Sequence, residues 1–348
     1  MKPKYKIPEQ ELQHIKKILI IQYKPFGDIL LNTGYLPSLR EKFPDAQLDY
    51  LIQSPYVTLL EDNPNIDNLV LMKKKKKKTI SYLLERFRIM RLVRKRKYDL
   101  LIDQLRGTGS AQITLYSGAK YRLGWFQKRW NWVYNYKLKR DNFRYYACAK
   151  FDLLKPLGIE EVPHNTYYKI KNESIRKINN WLIDIGLKNN KFVVFSPGTP
   201  VLAKQWDLDN FAELGDLIMQ NTEFKVVLLW GPGEKKDVEY IKENMKEKPV
   251  IAIPTTFNEA GALLKETNVY ISNDGGINHL AVAMETPTVT IFGPKTNPKK
   301  WTAWHKKIHT YIRDWDFTLT EYYKDRDNTF RITPEMVFDK FKELLNIL

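Results

Sequence analysis

The stretch 268–294, NVYISNDGGINHLAVAMETPTVTIFGP, constrains the fold more than any other part of the chain. Residues 269–271 favour a β-strand, and the paired glycines Gly275 and Gly276 favour a turn that ends it. Apolar residues then recur at helical spacing, and Pro287 opens a second β-branched run. The pattern predicts a βαβ unit whose helix begins directly after a glycine turn. Backbone amides and the dipole at such a helix start can bind an anion, and phosphate is the first candidate.

The same residues also have purely structural interpretations. Asp274 could be a turn residue, and His279 could be a buried histidine in the first helical turn. Gly275 and Gly276 could serve backbone geometry alone, because a single glycine turn is a weak signal for phosphate. On their chemistry alone, both interpretations stay open.

The pattern as a whole resembles glycosyltransferase family 9, the lipopolysaccharide heptosyltransferases. The resemblance rests on Asp274-Gly275-Gly276-Ile277-Asn278-His279-Leu280-Ala281, followed by Pro287-Thr288 and by Phe292-Gly293-Pro294. That family usually has Ser or Thr at the position of Gly275. The hydroxyl, a candidate phosphate donor, is missing here, so phosphate binding would depend more on backbone N–H groups.

The composition fits a globular chain of about two domains. The 348 residues are 43% hydrophobic, enough for each of two domains to bury its own core. No apolar run approaches the roughly 18 residues that cross a bilayer, and the basic N-terminus lacks the apolar segment of a secretory signal. We therefore expect a cytoplasmic protein. The one cysteine, Cys148, excludes an intrachain disulfide and a zinc site built from several cysteines.

The formal net charge of +17 is concentrated in one part of the chain. Residues 73–97, called the basic segment below, contain thirteen Lys or Arg and one acid, Glu85. Such a patch could meet nucleic acid, anionic lipid or an anionic substrate, or it could simply be solvated. Within it, Phe87, Met90 and Val93 follow one side of a predicted helix, which is typical of an amphipathic surface helix or of a core-facing helix with a solvated basic face.

The N-terminal half alternates strands and helices. The apolar, β-branched run 17–22 predicts a buried parallel strand, and apolar positions in 29–43 recur at helical spacing. Asp28 follows the first strand, at the edge where open α/β sheets place their ligands. Its local sequence favours an N-cap of the next helix. Further strands are predicted at 47–52, 68–72 and 98–103.

The second half repeats this alternation after a polar connection at 158–174. The loop after its first strand contains Thr199 and Lys204, and the loop after its second contains Trp230 and Glu234. Lys204 could be merely solvated. Glu234 could bind a ribose diol or cap the next helix. Strands are predicted at 192–195 and 225–229, and helices at 175–185 and 208–220.

The resemblance covers nearly the whole chain, because loops of both halves match the family in order and spacing. It implies an α/β protein of the GT-B fold, with two Rossmann-like domains whose parallel sheets face one another across a cleft. We assign residues 1–165 to an acceptor-binding domain and residues 166–330 to a nucleotide-sugar-binding domain. Residues 331–348 form a predicted terminal helix that could pack back on the N-terminal domain.

The same resemblance implies an inverting, metal-independent glycosyltransferase. The expected donor is ADP-heptose or a related nucleotide-diphosphate sugar, and the expected acceptor is the lipid-linked inner core of lipopolysaccharide. Asp28 would act as the general base. Lys204 and the amides of Gly275 and Gly276 would stabilise the departing diphosphate without a metal or other cofactor, and Glu234 would bind the ribose. Asp274 would orient the sugar or the turn. The other donor-side residues are Thr199, Trp230 and His279.

An enzyme that acts on a lipid-linked acceptor must work at a membrane surface. We expect the basic segment to dock the protein on the anionic inner face of the bacterial inner membrane, with no spanning helix. The residues assigned to membrane or acceptor contact are Lys73, Lys74, Lys75, Lys76, Lys77, Lys78 and Arg122.

Two other functions stay open at this point. A nucleotide-sugar epimerase shares the two-domain fold, although the Phe26-Gly27-Asp28 loop fits an acceptor base better. A nucleic-acid-binding protein would explain the charge, although the chain has no recognisable RNA- or DNA-binding motif. We expect no nucleic-acid partner.

The lysine run gives the first prediction. Replacing residues 73–78 by Gln should largely abolish co-sedimentation with vesicles that contain anionic lipid, since each cation near such a surface contributes about 1 kcal/mol. Binding by the unaltered protein should weaken steeply with salt, because the attraction fades within roughly 8 Å at physiological ionic strength. Equal binding by the substituted protein would refute docking by the lysine run.

Overall fold

The computed structural model describes residues 6–76, 79–140, 144–162, 165–199, 201, 204–293, 296–313 and 331–348. The chain divides into two compact units, Met1–Lys169 (unit 1) and Ile170–Leu348 (unit 2). The division falls after residue 169, against residue 165 expected from the sequence. Lys77, Lys78 and Pro294, which the sequence analysis singles out, lie outside the described residues.

Unit 1 is built on a parallel sheet with the strand order β3-β2-β1-β4-β5-β6. Four of the five residues of β1 are buried, as its apolar, β-branched sequence predicts for an interior strand. The predicted strands at 17–22, 47–52, 68–72 and 98–103 are all present. The strands are β1 (Lys17–Ile21), β2 (Gln47–Gln53), β3 (Asn68–Met72), β4 (Leu100–Asp103), β5 (Tyr121–Trp125) and β6 (Tyr136–Leu138).

The helices of unit 1 cover both predicted helical stretches, but their bounds differ. They are α1 (Glu9–Leu12), α2 (Phe26–Asn32), α3 (Leu36–Lys42), α4 (Ile80–Arg96), α5 (Thr108–Ser117) and α6 (Tyr146–Phe151). The single helix expected at 29–43 is divided into α2 and α3 by the 3-10 turn Thr33–Tyr35. Pro37 lies in the first turn of α3, where a residue without an N–H group is tolerated.

Helix α4 buries a face that its apolar spacing does not predict. Val93 is buried, but Phe87 points outward and is 48% exposed. The buried side also carries Glu85 and Arg86. Arg86 donates to the carbonyl of Gly109 at 2.8 Å, and Glu85 accepts from a backbone amide at 2.7 Å, so neither buried charge is left unsatisfied. The prediction of one shared face for Phe87 and Val93 is therefore wrong.

Unit 2 contains a second parallel sheet, with the order β12-β11-β10-β7-β8-β9. Every residue of β10 and β11 is buried. The βαβ unit predicted at 268–294 is confirmed, since the helix Ile277–Ala283 connects these two strands. The strands are β7 (Phe192–Ser196), β8 (Lys225–Leu228), β9 (Val250–Ile251), β10 (Val269–Asn273), β11 (Thr288–Phe292) and β12 (His309–Arg313).

The helices of unit 2 include the two that the sequence predicts, at 175–185 and 208–220. They are α7 (Asn172–Asp184), α8 (Leu208–Asn221), α9 (Lys235–Asn244), α10 (Phe257–Glu266), α11 (Ile277–Ala283), α12 (Pro298–Trp301) and α13 (Pro334–Leu345). Helix α10 begins with a capping box, in which Thr256 and Glu259 each bond the other's backbone amide.

The terminal helix α13 belongs to the core of unit 2. It begins after Thr333, whose hydroxyl caps it, as the Thr-Pro-Glu sequence predicts. Val337, Phe341 and Leu344 are buried in the same apolar cluster as helix α8. The Phe341 ring meets that of Phe224 edge to face at 5.4 Å between centroids. The helix packs within unit 2, where α8 offers a matching apolar face, and its additional packing on the N-terminal domain stays a prediction.

Both sheets reverse their strand order between two neighbouring strands. These are β1 and β4 in unit 1, and β7 and β10 in unit 2. In open α/β sheets, ligands bind at the carboxyl ends of the strands where the order reverses. Asp28 follows β1, Lys204 follows β7 and Asp274 follows β10, so three predicted site residues lie at these places. The two parallel sheets confirm the predicted α/β class with two Rossmann-like domains.

Candidate functional site

Asp28 lies in the first turn of α2 and does not cap it. The helix begins at Phe26, and Pro25 occupies the N-cap position without a side-chain bond to the helix. Because a cap residue must precede the helix, the N-cap interpretation of Asp28 is wrong. Its carboxylate is partly accessible, with 18% of the side chain exposed. A carboxylate there can accept a proton from a bound hydroxyl group.

Lys150 is the closest charged partner that the structure gives Asp28, and the sequence analysis did not select it. Its side chain is wholly buried, and its Nζ lies 3.4 Å from Asp28 Oδ1. Burial lowers the pKa of Lys150 to about 8, while the carboxylate of Asp28 opposes that shift. Separating Asp28 from this fully desolvated ammonium would be costly, because the buried charge would lose its partner.

Two rings and a second cation surround this pair. The ring of Tyr146 contacts both cations, since Lys150 Nζ lies 4.7 Å and Arg140 Cζ 4.6 Å from its centroid. Arg140 also lies 5.0 Å from the centroid of the Trp125 ring. Stacking on aromatic faces stabilises both cations where little water reaches them. Two cations, Lys150 and Arg140, therefore lie near the carboxylate of Asp28.

In unit 2, the structure brings Lys204 and Asp274 together. Lys204 Nζ lies 2.5 Å from Asp274 Oδ2, and the two side chains are 33% and 10% exposed. The pair joins the loop after β7 to the loop after β10, across the reversal of the strand order. The alternative of a merely solvated Lys204 does not fit this contact.

Asn273 fixes the geometry of both loops, and the sequence analysis missed it. Its Oδ1 accepts from the Trp206 amide at 2.9 Å, and its Nδ2 donates to the Pro197 carbonyl at 2.6 Å. One buried side chain thus clamps both ends of the segment that carries Lys204. The neighbouring Asn278 donates back to the Asn273 carbonyl at 3.1 Å. The available signal was an Asn at the end of a buried strand, two residues before the paired glycines.

Glu234 folds back on its own loop. It directly precedes α9 but makes no cap bond, so the interpretation of Glu234 as a helix cap is wrong. Its Oε2 accepts from the Gly231 amide at 2.7 Å. The carboxylate also lies against Gly198, where an added Cβ would be 2.1 Å from Glu234 Cδ. Only glycine at residue 198 leaves room for this carboxylate.

The glycine turn has ordinary backbone angles. Gly276 adopts φ −63° and ψ −31°, and Gly275 is not among the described glycines with positive φ. An added Cβ at Gly275 would meet only the Asn273 carbonyl, at 3.8 Å. The amides of Asn278 and His279 already donate to Gly275 and Gly276. A serine at residue 275 would therefore be accommodated.

The other donor-side residues lie around these loops. The ring of His279 is buried 6.1 Å from that of Trp301. Trp230 donates through Nε1 to the Ala252 carbonyl at 2.8 Å and packs against the core of unit 2. Thr199 accepts from the Val201 amide at 3.4 Å. Trp230 therefore has a packing role that the sequence analysis did not assign to it.

The cations of the basic segment differ in their availability. Arg86 is buried, Arg88 pairs with Glu85, and Arg96 pairs with the buried Asp49 at 2.5 Å. Paired and buried cations contribute little to attraction at a distance. Apart from the paired Arg88, the exposed cations of the segment among the described residues are Lys73, Lys74, Lys75, Lys76, Arg91, Arg94, Lys95 and Lys97.

Arg122 has a structural environment. It lies at the start of β5, away from the carboxyl edge that carries Asp28. Its guanidinium donates to the carbonyls of Ala119 at 2.6 Å and Val133 at 2.7 Å. Burial lowers its pKa. The geometry gives no support to its assignment as an acceptor or membrane contact.

No helix among the described residues has both the length and the apolar composition needed to cross a bilayer. Within the same residues, no three His, Cys, Asp or Glu side chains come together in a group that could hold a metal ion.

Comparison with known proteins gives a consistent result. The sequence model described as Glycosyltransferase family 9 (heptosyltransferase) matches residues 86–318. Lipopolysaccharide heptosyltransferase 3 of Escherichia coli is 27% identical over 318 residues, which cover 87% of this chain and 91% of that protein. The solved glycosyl transferase family 9 structure from Veillonella parvula DSM 2008 has a TM-score of 0.81 at 22% identity, covering 96% of this chain and 98% of that one.

A second solved structure, E. coli heptosyltransferase WaaC with ADP, has a TM-score of 0.72 at 18% identity and covers 94% of this chain and 99% of that one. These similarities establish the GT-B fold. The family match includes the three loops of unit 2 that carry Lys204, Glu234 and Asp274. The chain therefore belongs to glycosyltransferase family 9, the heptosyltransferase family, and is a glycosyltransferase related to those of lipopolysaccharide biosynthesis.

Proposed function

We propose that the protein transfers a heptose from ADP-heptose to the inner core of lipopolysaccharide, with inversion and without a metal. The observation that carries the proposal is the Lys204–Asp274 pair at the reversal of the second sheet, beside the glycine turn. The ADP bound by the related WaaC supports adenine as the nucleobase of the donor. The lipopolysaccharide heptosyltransferases among the relatives support the acceptor class.

On the donor side, Lys204 exchanges its carboxylate partner Asp274 for the diphosphate of the donor. Its ammonium bonds a carboxylate in the structure, and a diphosphate offers more negative charge to the same cation. The amides of Gly275 and Gly276 can add hydrogen bonds as charge develops on the leaving group. Glu234, held by the Gly231 amide, offers its carboxylate to the ribose hydroxyls.

The acceptor side depends on Asp28. Its carboxylate takes the proton of the acceptor hydroxyl while that oxygen attacks the anomeric carbon. The bond from this carbon to the diphosphate oxygen breaks, and ADP leaves with the electron pair. One displacement of this kind inverts the anomeric centre. Lys150 acts as a positioning residue, because its buried ammonium holds the carboxylate of Asp28 in place.

Metal independence is part of the proposal and needs its own control. Lys204 and the backbone amides supply positive charge where magnesium could otherwise act. Asp-x-Asp triplets, which hold magnesium in other transferases, occur at 207–209, 314–316 and 325–327. The last two lie outside the described residues. Turnover that survives a chelator would support the proposal, and loss of turnover restored by magnesium would overturn this part of it.

The cellular site follows from the substrates. A soluble nucleotide sugar and a lipid-linked acceptor meet at the cytoplasmic face of the inner membrane. The exposed Lys73, Lys74, Lys75 and Lys76 support attachment to its anionic lipids. We therefore assign the protein to that surface as a peripheral enzyme.

The base assignment predicts the behaviour of Asp28 variants. With ADP-heptose and a delipidated core acceptor, Asp28→Ala should lower kcat by roughly two to four decades, because the hydroxyl loses its base. ADP binding by calorimetry should change little, whereas the unfolding temperature should fall, because the buried Lys150 loses its carboxylate partner. An Asp28→Ala protein with full activity would sink the assignment.

Lys150 variants separate positioning from general damage. Lys150→Met should lower kcat by up to about 100-fold with a smaller change in KM, because it displaces the base. In the unaltered protein, kcat should fall above about pH 8, where Lys150 loses its proton and the ion pair is lost. Lys150→Arg should shift this fall to higher pH. A fall in kcat near pH 8 that is unchanged in Lys150→Arg and in Lys150→Met would exclude the role.

Lys204 should control donor affinity. Removal of a charge-assisted contact costs about 1.5–3 kcal/mol, so Lys204→Ala should weaken ADP binding by roughly 10- to 150-fold. Lys191→Ala is the matched control, because Lys191 also pairs with a carboxylate at 2.5 Å but precedes β7. Unchanged ADP binding by Lys204→Ala would place this lysine outside the site.

Gly275 allows a gain-of-affinity test. Gly275→Ser restores the hydroxyl usual in the family, and the backbone accommodates its Cβ. A new hydrogen bond of about 1 kcal/mol should tighten ADP binding roughly fivefold. Gly275→Ala controls for the Cβ and should leave affinity near its original value. Equal affinity of the Ser and Ala variants would show that no phosphate oxygen lies within reach.

A further inference from the structure

Helix α4 turns an apolar stripe toward solvent. Its members are Ile80, Leu83, Leu84 and Phe87, which are 77%, 62%, 64% and 48% exposed. Their spacing of three and four residues places them on one side of the helix. A surface helix of a globular protein normally buries its apolar side. Here the apolar side faces outward, so core packing does not explain it.

The opposite side of α4 shows that this orientation is fixed. Glu85, Arg86, Ile89 and Val93 are buried there. Arg86 bonds Gly109 and Gln112 of α5, at 2.8 and 2.9 Å. A rotation that buried the stripe would break these bonds and leave two charges unpaired.

The surroundings of the stripe are cationic. The exposed Lys73, Lys74, Lys75 and Lys76 precede the helix. Along the side of the stripe, Phe87 is followed one turn later by Arg91, whose Cζ lies 5.8 Å from the ring centroid. The one acid of the basic segment, Glu85, lies on the buried side and pairs with Arg88. The surface therefore combines apolar side chains with unopposed positive charge.

An aromatic cluster lies at the same edge of the sheet. The first turn of α4 follows β3, so it lies at the carboxyl edge of unit 1. The loop after β5 carries Trp130 and Trp132, whose rings lie 6.2 Å apart. Trp130 donates to Thr108, at the start of α5, which is also the helix that Arg86 bonds. Trp and basic residues beside apolar ones are typical of surfaces at a lipid–water boundary.

We propose that the stripe inserts into the outer acyl region of an anionic phospholipid bilayer while the neighbouring cations bind headgroups. The proposal deepens the proposed function, on which it rests for the lipid-linked acceptor. Charge selects lipid over a second copy of the chain, because two copies joined here would bring their lysines together at a net charge of +17 each. Insertion would place the carboxyl edge of unit 1, with Asp28, toward the lipid surface.

Vesicle binding without donor or acceptor tests insertion separately from catalysis. The variants are Leu83→Ser/Leu84→Ser/Phe87→Ser, a charge variant with Lys73, Lys74, Lys75 and Lys76 replaced by Gln, and Ile183→Ser as a control for an exposed apolar residue of unit 2. At about 1 M salt, where the Debye length is roughly 3 Å, only apolar insertion should persist. The triple variant should then bind roughly 10- to 100-fold more weakly than the unaltered protein.

The other two variants separate apolar insertion from electrostatic binding and from general effects of exposed apolar residues. At low salt the charge variant should lose most of its binding and fall to the weak level that the unaltered protein shows at about 1 M salt. At about 1 M salt the two should bind alike, and Ile183→Ser should bind like the unaltered protein at both salt concentrations. All of them should keep the original unfolding temperature, because the substituted side chains are exposed. Equal high-salt binding by the triple variant, or no vesicle binding by the unaltered protein, would overturn the proposal.

A fluorescent label reports depth directly. In a Cys148→Ala background, bimane on Leu83→Cys should shift to the blue on phosphatidylcholine–phosphatidylglycerol vesicles and be quenched by acyl-brominated lipid. The same label on Ile183→Cys, at similar exposure, should not respond. A shift that grows with protein concentration in the absence of vesicles would show self-association and overturn lipid insertion. Vesicle binding without transfer to a delipidated acceptor would instead leave insertion standing and contradict the proposed function.

Discussion

Parallel strand pairing is the constraint on which both candidate sites depend. In each unit a hydrogen-bonded pair, β1 with β4 and β7 with β10, marks the place where the strand order reverses. At that place the connections after the two strands cross to opposite faces of the sheet, so their loops separate. The crevice between the loops lies at the carboxyl ends of the strands and is lined by polar groups. The core strands carry almost no chemistry themselves. They fix where the chemistry-bearing loops begin.

The two lysines near candidate carboxylates differ in the kind of control they can exert. Lys150 is wholly buried, so its partner Asp28 has little freedom to move without a cost in solvation. Lys204 is one-third exposed, and its bond to Asp274 can be exchanged for another anion at a smaller cost. One arrangement suits the holding of a reactive group in place. The other suits the reversible capture of a charged ligand.

The fold could be predicted because strands and turns depend on local sequence. The β-branched runs at β1 and β10 and the glycine turn at Gly275 have few other stable conformations. Lys150 could not be found in this way, because its burial depends on contacts with α2 that its neighbours in sequence do not indicate. The orientation of α4 was mispredicted for the same reason. Arg86 finds its partners on α5, and no helical period can show that a charge will be satisfied inside.

Gly198 shows how a site can depend on a missing atom. The carboxylate of Glu234 occupies the space that any other residue at 198 would need for its Cβ. A single methyl group there would displace the carboxylate without altering any charge or any hydrogen-bonding group of the protein. The loop is therefore sensitive to volume at a position that carries no side chain. A survey of functional groups alone would leave this position out, although the orientation of Glu234 depends on it.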